Sequence, residues 1–264
     1  MIVKDNILKI SFSALETYQQ CPRKYLYNYI WKLPRKDWPW LILGTFVHLV
    51  LEKFHRYVIY FKKRNLNFEY DELMKKAFLS ALKIQRKKES KGEMRFSDDQ
   101  KEKSKKILSD YLKRIVKKFP NTIYIEKGFD FIFEDINIRG FIDRIDKIDD
   151  DTFKLVDYKT SSKSYDINEK KQLDLYSYFF KNLLKRKDIK IIRCLDFLKL
   201  NEIKEGLYEK SHEEEVLDYI KTTSKKIKDN MKSEKEEDWK FKVNNYCKLC
   251  DFKDRCSQQR GIFI

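Results

Sequence analysis

Two carboxylates and a lysine stand where chemistry is possible: Asp143 in GFIDRID, and Asp157 and Lys159 in LVDYKT. A hairpin centred on Asp150, inside the turn Asp149–Asp150–Asp151, sets Asp143 directly opposite Asp157. Opposed Cα atoms in an antiparallel pair lie about 4.5–5.5 Å apart, close enough for two carboxylates to hold one cation. A preceding hairpin centred between Glu134 and Asp135 places Glu126 opposite Asp143, although Glu-Asp is not a favoured two-residue turn. Alternation puts Asp157 on one face with Phe153, Leu155 and Lys159, and Asp143 on one face with Phe141 and Ile145. Carboxylates among apolar side chains repel each other and resist desolvation, and a divalent cation relieves both costs. The alternative is a sheet edge, where the same acids meet solvent or basic residues.

Mg²⁺ or Mn²⁺ on hard oxygen ligands can neutralise a phosphate and lower the pKa of a water beside it, which is what phosphodiester cleavage requires. Lys159 projects to the side of Asp157 and can stabilise charge or orient the water; service as the base would need a lowered pKa. Three cysteines are clustered, Cys247, Cys250 and Cys256, with two and five residues between them. Three thiolates leave a zinc or iron–sulfur site one ligand short. Cys194 lies in a strand pattern and reads as buried, while Cys21 stands beside Pro22 at a helix-to-turn junction.

The elements that must carry these residues follow from pattern. Segments 123–133, 136–148, 153–159 and 189–200 alternate or run apolar like strands. Ser13 with Glu16 predicts a short helix ending near Pro22, and residues 41–62 and 71–88 read as helices. Ser97 with Gln100 opens another helix to about Lys118, and Asp166 with Glu169 caps one over 167–186. The charged run 209–238 reads as an exposed helix. The expectation is an α/β fold with a mixed central sheet and a helical insertion or lobe over 60–120.

The chain has 264 residues, 58 Lys+Arg against 42 Asp+Glu, and a formal net charge of +16, which favours a polyanionic partner. The helices over 74–88 and 101–118 are candidates for a groove wall, with Lys83, Arg86, Lys87 and Lys88 meeting phosphates. No apolar run of signal-peptide or membrane-spanning length and no glycine-rich phosphate loop occurs in this sequence, so the expectation is a cytoplasmic protein without an ATP motor of its own.

GFIDRID followed by LVDYKT resembles the paired acidic signatures of the PD-(D/E)XK nucleases, in particular the RecB-like branch, with Ile142 where the literal motif has proline. The resemblance implies a restriction-endonuclease-like core spanning residues 1–264, with Asp143, Asp157 and Lys159 catalytic. GTFVHLVLE is similar to the branch's upstream helical motif and implies that His48 is a metal ligand; by itself, between Val47 and Leu49, it would be a structural histidine, with Glu52 four residues along to pair with it. QLDLY is similar to the downstream motif and implies active-site or DNA-contacting roles for Gln172 and Tyr176, which alone read as an unassigned residue and a core residue. Glu126 is similar to an acid that often precedes the first signature. The cysteine arrangement is similar to AddB-type and CRISPR-associated members, implying a 4Fe-4S cluster on Cys21, Cys247, Cys250 and Cys256 that joins the 240–264 segment to Cys21, with zinc as the alternative. The implied activity is a DNA exonuclease on single-stranded ends or flaps, working with DNA-repair proteins. The rivals are a CRISPR-adaptation nuclease trimming DNA before integration, a non-catalytic DNA-binding module, and an RNA-processing enzyme.

Overall fold

The computed structural model describes residues 7–92, 95–186, 188–233 and 235–260. Helix α1 (Phe12–Gln20) starts from Ser11, whose hydroxyl accepts from the Ala14 amide, two residues before the predicted cap. Cys21 closes it in extended geometry and opens α2 (Pro22–Tyr25), with Pro22 in the first turn where no amide donor is needed. Helix α3 (Pro39–Lys63) also begins on a proline. Its buried residues Leu43, Phe46, Val47, Val50, Phe54 and Val58 recur at three- and four-residue spacing, so one stripe faces the core.

Helix α4 (Tyr70–Glu89) and α5 (Asp98–Ile115) follow. The predicted capping box at the start of α5 is present: the Gln100 amide donates to Ser97 Oγ at 3.2 Å and the Ser97 amide to Gln100 Oε1 at 2.8 Å. These helices share one apolar cluster with the sheet, in which Ala77, Leu108 and Tyr111 meet Val156, Tyr158 and Cys194.

The strands are β1 (Leu8–Ile10), β2 (Thr122–Phe133), β3 (Ile136–Lys147), β4 (Thr152–Lys159), β5 (Lys190–Phe197) and β6 (Glu202–Leu207). Their order is β1-β3-β4-β5-β6, with β2 also paired to β3. β3 and β4 are antiparallel, β4 and β5 parallel, β5 and β6 antiparallel, and β1 runs parallel to β3. The parallel step needs a crossover, which α6 (Gln172–Leu184) provides. The Asp166–Glu169 box caps a 3-10 turn rather than α6 itself, because the helix starts only at Gln172. Strand β6 carries alternating charges in EIKEGL and has no fully buried residue, which hides it from an apolar pattern. Helix α7 (Lys210–Met231) occupies the charged run and α8 (Lys253–Arg260) follows the cysteine pair.

Two compact units result. One comprises Met1–Lys36, Gly128–Gly140 and Glu214–Ile264; the other comprises Asp37–Lys127 and Phe141–Glu213. Among the described residues, no helix is long and apolar enough to cross a membrane.

Candidate active site

Strand register brings the central acids together. Arg144 pairs with Val156 and Ile145 with Leu155, so Asp143 and Asp157 are the next residues of their strands, just past the last paired position. Asp143 Oδ2 accepts the Tyr158 amide at 2.8 Å, fixing the carboxylate against the neighbouring strand. Lys159 forms an ion pair with Asp157 and donates to Gln172 Oε1 at 3.0 Å. Gln172 Nε2 donates onward to the Tyr176 hydroxyl at 2.6 Å. Gln172 and Tyr176 lie one turn apart on α6, so the first turns of that helix aim both at the end of β4.

His48 arrives from α3. A side chain on Gly44 would place its Cβ 2.8 Å from Thr160 Oγ1, so glycine lets the helix press against the residue that follows β4. One turn further along, His48 Nδ1 lies 3.5 Å from Asp143 Oδ2. Glu52 bonds to Arg56 at 2.9 Å, the partner it takes in place of His48.

Glu126 reaches the same place by a different route from the one expected. A regular hairpin about Glu134–Asp135 would set Ile148 opposite Asn121, yet the Lys147 amide donates to Asn121 O at 2.9 Å. The register has slipped by one residue, and between the two points Glu126 has φ 48°, a left-handed conformation within the strand. A bulge at Glu126 accounts for both features and re-aims the side chain. Ligand atoms of His48, Glu126 and Asp143 lie within 4.8 Å of one another.

Electrostatics agree with a cation site. Burial together with Asp143 and Glu52 pushes Glu126 up to about 7. Burial raises Asp157 too, and Asp143 adds to this while Lys159 opposes it. At Asp143, burial works upward, but His48, the Tyr158 amide and Lys159 outweigh it and hold the group below its ordinary value. His48 is raised despite its burial, because Asp143 faces it. Lys159 is likewise raised against burial, chiefly by Asp157, so it stays an ammonium and is unsuited to act as a base. Two carboxylates and an imidazole concentrated in this way fit a divalent cation that prefers oxygen and nitrogen donors.

Several supporting residues were not evident from sequence. On the reverse face of the sheet, Arg144 NH1 donates to the hydroxyls of Tyr158 at 2.6 Å and Tyr111 at 2.7 Å, and its Nε lies 3.1 Å from Asp146 Oδ2. Tyr111 meets buried His55 Nε2 at 2.6 Å. Arg144 and Tyr158 are the sequence neighbours of Asp143 and of the Asp157–Lys159 pair, so this network clamps the backbone that presents the acids. The alternation that put Asp143 on one face had already put Arg144 on the other, which was the available signal.

In the other unit, Cys21, Cys247, Cys250 and Cys256 line one pocket, together with Tyr27, Asn244 and Phe252. The Lys242 amide donates to Cys21 Sγ at 3.5 Å and the Asn244 amide to Cys247 Sγ at 3.4 Å, contacts that stabilise thiolates. Lys242 Nζ bonds to Gln19 O at 2.8 Å and Asn244 Nδ2 to Gln20 O at 3.0 Å, which fastens this segment to the end of α1. Four thiols around one pocket, with amides directed at two of them, suit a metal centre. Cys194 is buried in β5.

Comparison with known proteins places this geometry. One subunit of the ATP-dependent helicase/deoxyribonuclease of Clostridium tetani is 27% identical over 195 residues, covering 61% of this chain and 16% of that protein. Its counterpart in Clostridium perfringens is 30% identical over 197 residues, covering 62% of this chain and again 16% of the relative. The match thus spans about one-sixth of the length of these relatives. A crystal structure from Eubacterium rectale, provisionally named an exonuclease, superposes with a TM-score of 0.57 at 11% identity, covering 97% of this chain and 93% of that one, which shows a shared fold. A family model for the PD-(D/E)XK nuclease superfamily matches residues 9–257. With nearly the whole described chain inside that match, the protein belongs to the PD-(D/E)XK nuclease superfamily.

Proposed function

We propose that the protein is a divalent-metal-dependent deoxyribonuclease that hydrolyses phosphodiester bonds at single-stranded ends or flaps. The observation that carries this reading is the meeting of His48, Glu126 and Asp143 ligand atoms within 4.8 Å, beside the Asp157–Lys159 ion pair. His48, Glu126, Asp143 and Asp157 would hold Mg²⁺ or Mn²⁺. Bound there, the cation supplies charge neutralisation at the phosphate and a water of lowered pKa. Lys159, kept as an ammonium by Asp157, stabilises negative charge on the phosphate, while Gln172 and Tyr176 hold the lysine in place. The relatives' names support DNA as substrate, and the net charge of +16 suits a polyanion.

The same reading assigns Cys21, Cys247, Cys250 and Cys256 to a 4Fe-4S cluster that ties the 240–264 segment to the end of α1, a structural role. It also places the protein in the cytoplasm beside other DNA-repair proteins.

The test is digestion of end-labelled single-stranded DNA with Mg²⁺ or Mn²⁺, with EDTA as control. Asp143→Ala, Asp157→Ala and Lys159→Ala should each slow cleavage by about 100-fold or more, the loss of roughly 3 kcal/mol of transition-state stabilisation. Wild-type cleavage by either aspartate variant would reject the site. Faster cutting of matched RNA would reject the substrate.

A further inference from the structure

A second feature lies beside the end of β4 and takes no part in the proposed metal site. The first turn of α3 (Trp40, Leu43), the α5 residues Lys103, Lys106 and Ile107, and the pair Leu198–Lys199 after β5 line an open groove of about 1060 Å³, solvent at its mouth included. Its walls are fastened together, since Gln100 Nε2 on α5 donates to Pro39 O at 2.7 Å. One end of it adjoins the end of β4, since the Leu198 amide donates to Lys159 O at 2.9 Å. Along α3, the eight residues from Trp40 to His48 correspond to roughly 12 Å.

The groove's chemistry is aromatic and cationic. Trp40 is 45% exposed and stacks on Trp38, ring centroids 4.5 Å apart at 25°. Two tryptophans stacked at a groove rim make a flat apolar platform that gains little from facing water. The acids of the lining have basic partners: Asp99 pairs with Lys103 of the same groove at 2.7 Å, and Asp110 lies 4.0 Å from Lys113. Lys106 and Lys199 have no carboxylate partner among the described residues. Burial and the Lys103 ammonium both push Lys199 below its ordinary value, so an anion placed there would relieve a repulsion.

We infer that this groove holds unpaired nucleotides of a DNA strand, with a base stacked on Trp40 and phosphates met by Lys106 and Lys199. The inference rests on the nuclease reading for the identity of its ligand and adds to it a place beside the end of β4 where the strand is held. Stacking explains why the strand must be unpaired, because a base within a duplex offers no free face to the tryptophan.

Affinity for fluorescein-labelled (dT)12 and for a blunt 12-base-pair duplex, measured by anisotropy on the full chain without divalent cation, tests the groove independently of hydrolysis. Trp40→Ala should weaken (dT)12 binding by about tenfold or more, as loss of one stacked base does, while Trp40→Phe stays near wild type. Duplex binding should change little. Lys106→Ala with Lys199→Ala should make the slope of log affinity against log salt shallower by about 0.7 for each phosphate no longer neutralised. Binding of (dT)12 by Trp40→Ala within twofold of wild type, or equal loss on the duplex, overturns the inference. Because binding without metal involves no cleavage, the groove can fail while the Asp143 and Asp157 variants still uphold the nuclease, and the reverse.

Discussion

Glu126 shows how much a single residue's environment decides. A glutamate on an exposed strand would be ionised well below neutrality, but burial beside Asp143 and Glu52 lifts this one to about 7. In the proposed metal site a proton and a cation would compete for this carboxylate. Below pH 7 the proton gains, so apparent Mn²⁺ affinity should fall as pH drops, by up to about tenfold per pH unit for this one group. Above pH 7 the dependence should level off. Calorimetric Mn²⁺ titration from pH 5.5 to 8 checks the sign, and Glu126→Gln should bind more weakly with a flatter profile. At the same scale, a Cβ at position 44 would meet the Thr160 hydroxyl: the bulkier Gly44→Val should press α3 away from Thr160 and, through His48, weaken Mn²⁺ binding.

At the scale of elements, α3, α5 and β4 meet in the buried cluster of His55, Tyr111 and Tyr158. Burial and then Arg144 hold the His55 imidazole well below its ordinary value of 6.5, so it stays neutral when folded. In the unfolded chain it takes up a proton as pH falls below 6.5. The unfolded state thus binds more protons in that range, and stability, fully present above pH 6.5, should be lost progressively below it. Thermal melting between pH 7.5 and 5 should show this decline, and His55→Gln, which cannot be charged, should lessen its steepness. The start of α5 offers a second test. Ser97→Ala removes an acceptor from the capping box and should cost about 1 kcal/mol in denaturant unfolding.

At the scale of the whole molecule, the four cysteines of the proposed cluster come from the two ends of the sequence and line one pocket. Bridging Cys21 to Cys247 through a metal centre closes a loop of more than 200 residues, which restricts the unfolded chain. Cys247→Ser should therefore lower the yield of folded protein and remove the broad visible absorption of an iron–sulfur cluster from anaerobically purified material. Zinc in wild-type protein, with no such absorption, would point to the alternative centre.

Much of the site was legible because it rests on local rules. A three-residue acidic turn and strict alternation on two strands were enough to oppose Asp143 and Asp157, since antiparallel register propagates from the turn. Capping chemistry likewise marked the start of α5. Strand β6 escaped because an edge strand with charged residues has no apolar period to read. The bulge at Glu126 escaped because a left-handed non-glycine residue carries no mark in sequence. The approach of His48 to Asp143, the clamp of Arg144 and Tyr158 behind the sheet, and the groove beside Trp40 each join segments tens of residues apart. Spacing along the chain determined which acids share a strand pair. Packing of α3, α5 and α6 against that pair decided which other side chains reach them, because such contacts depend on how helices settle on the sheet and no local pattern encodes that distance.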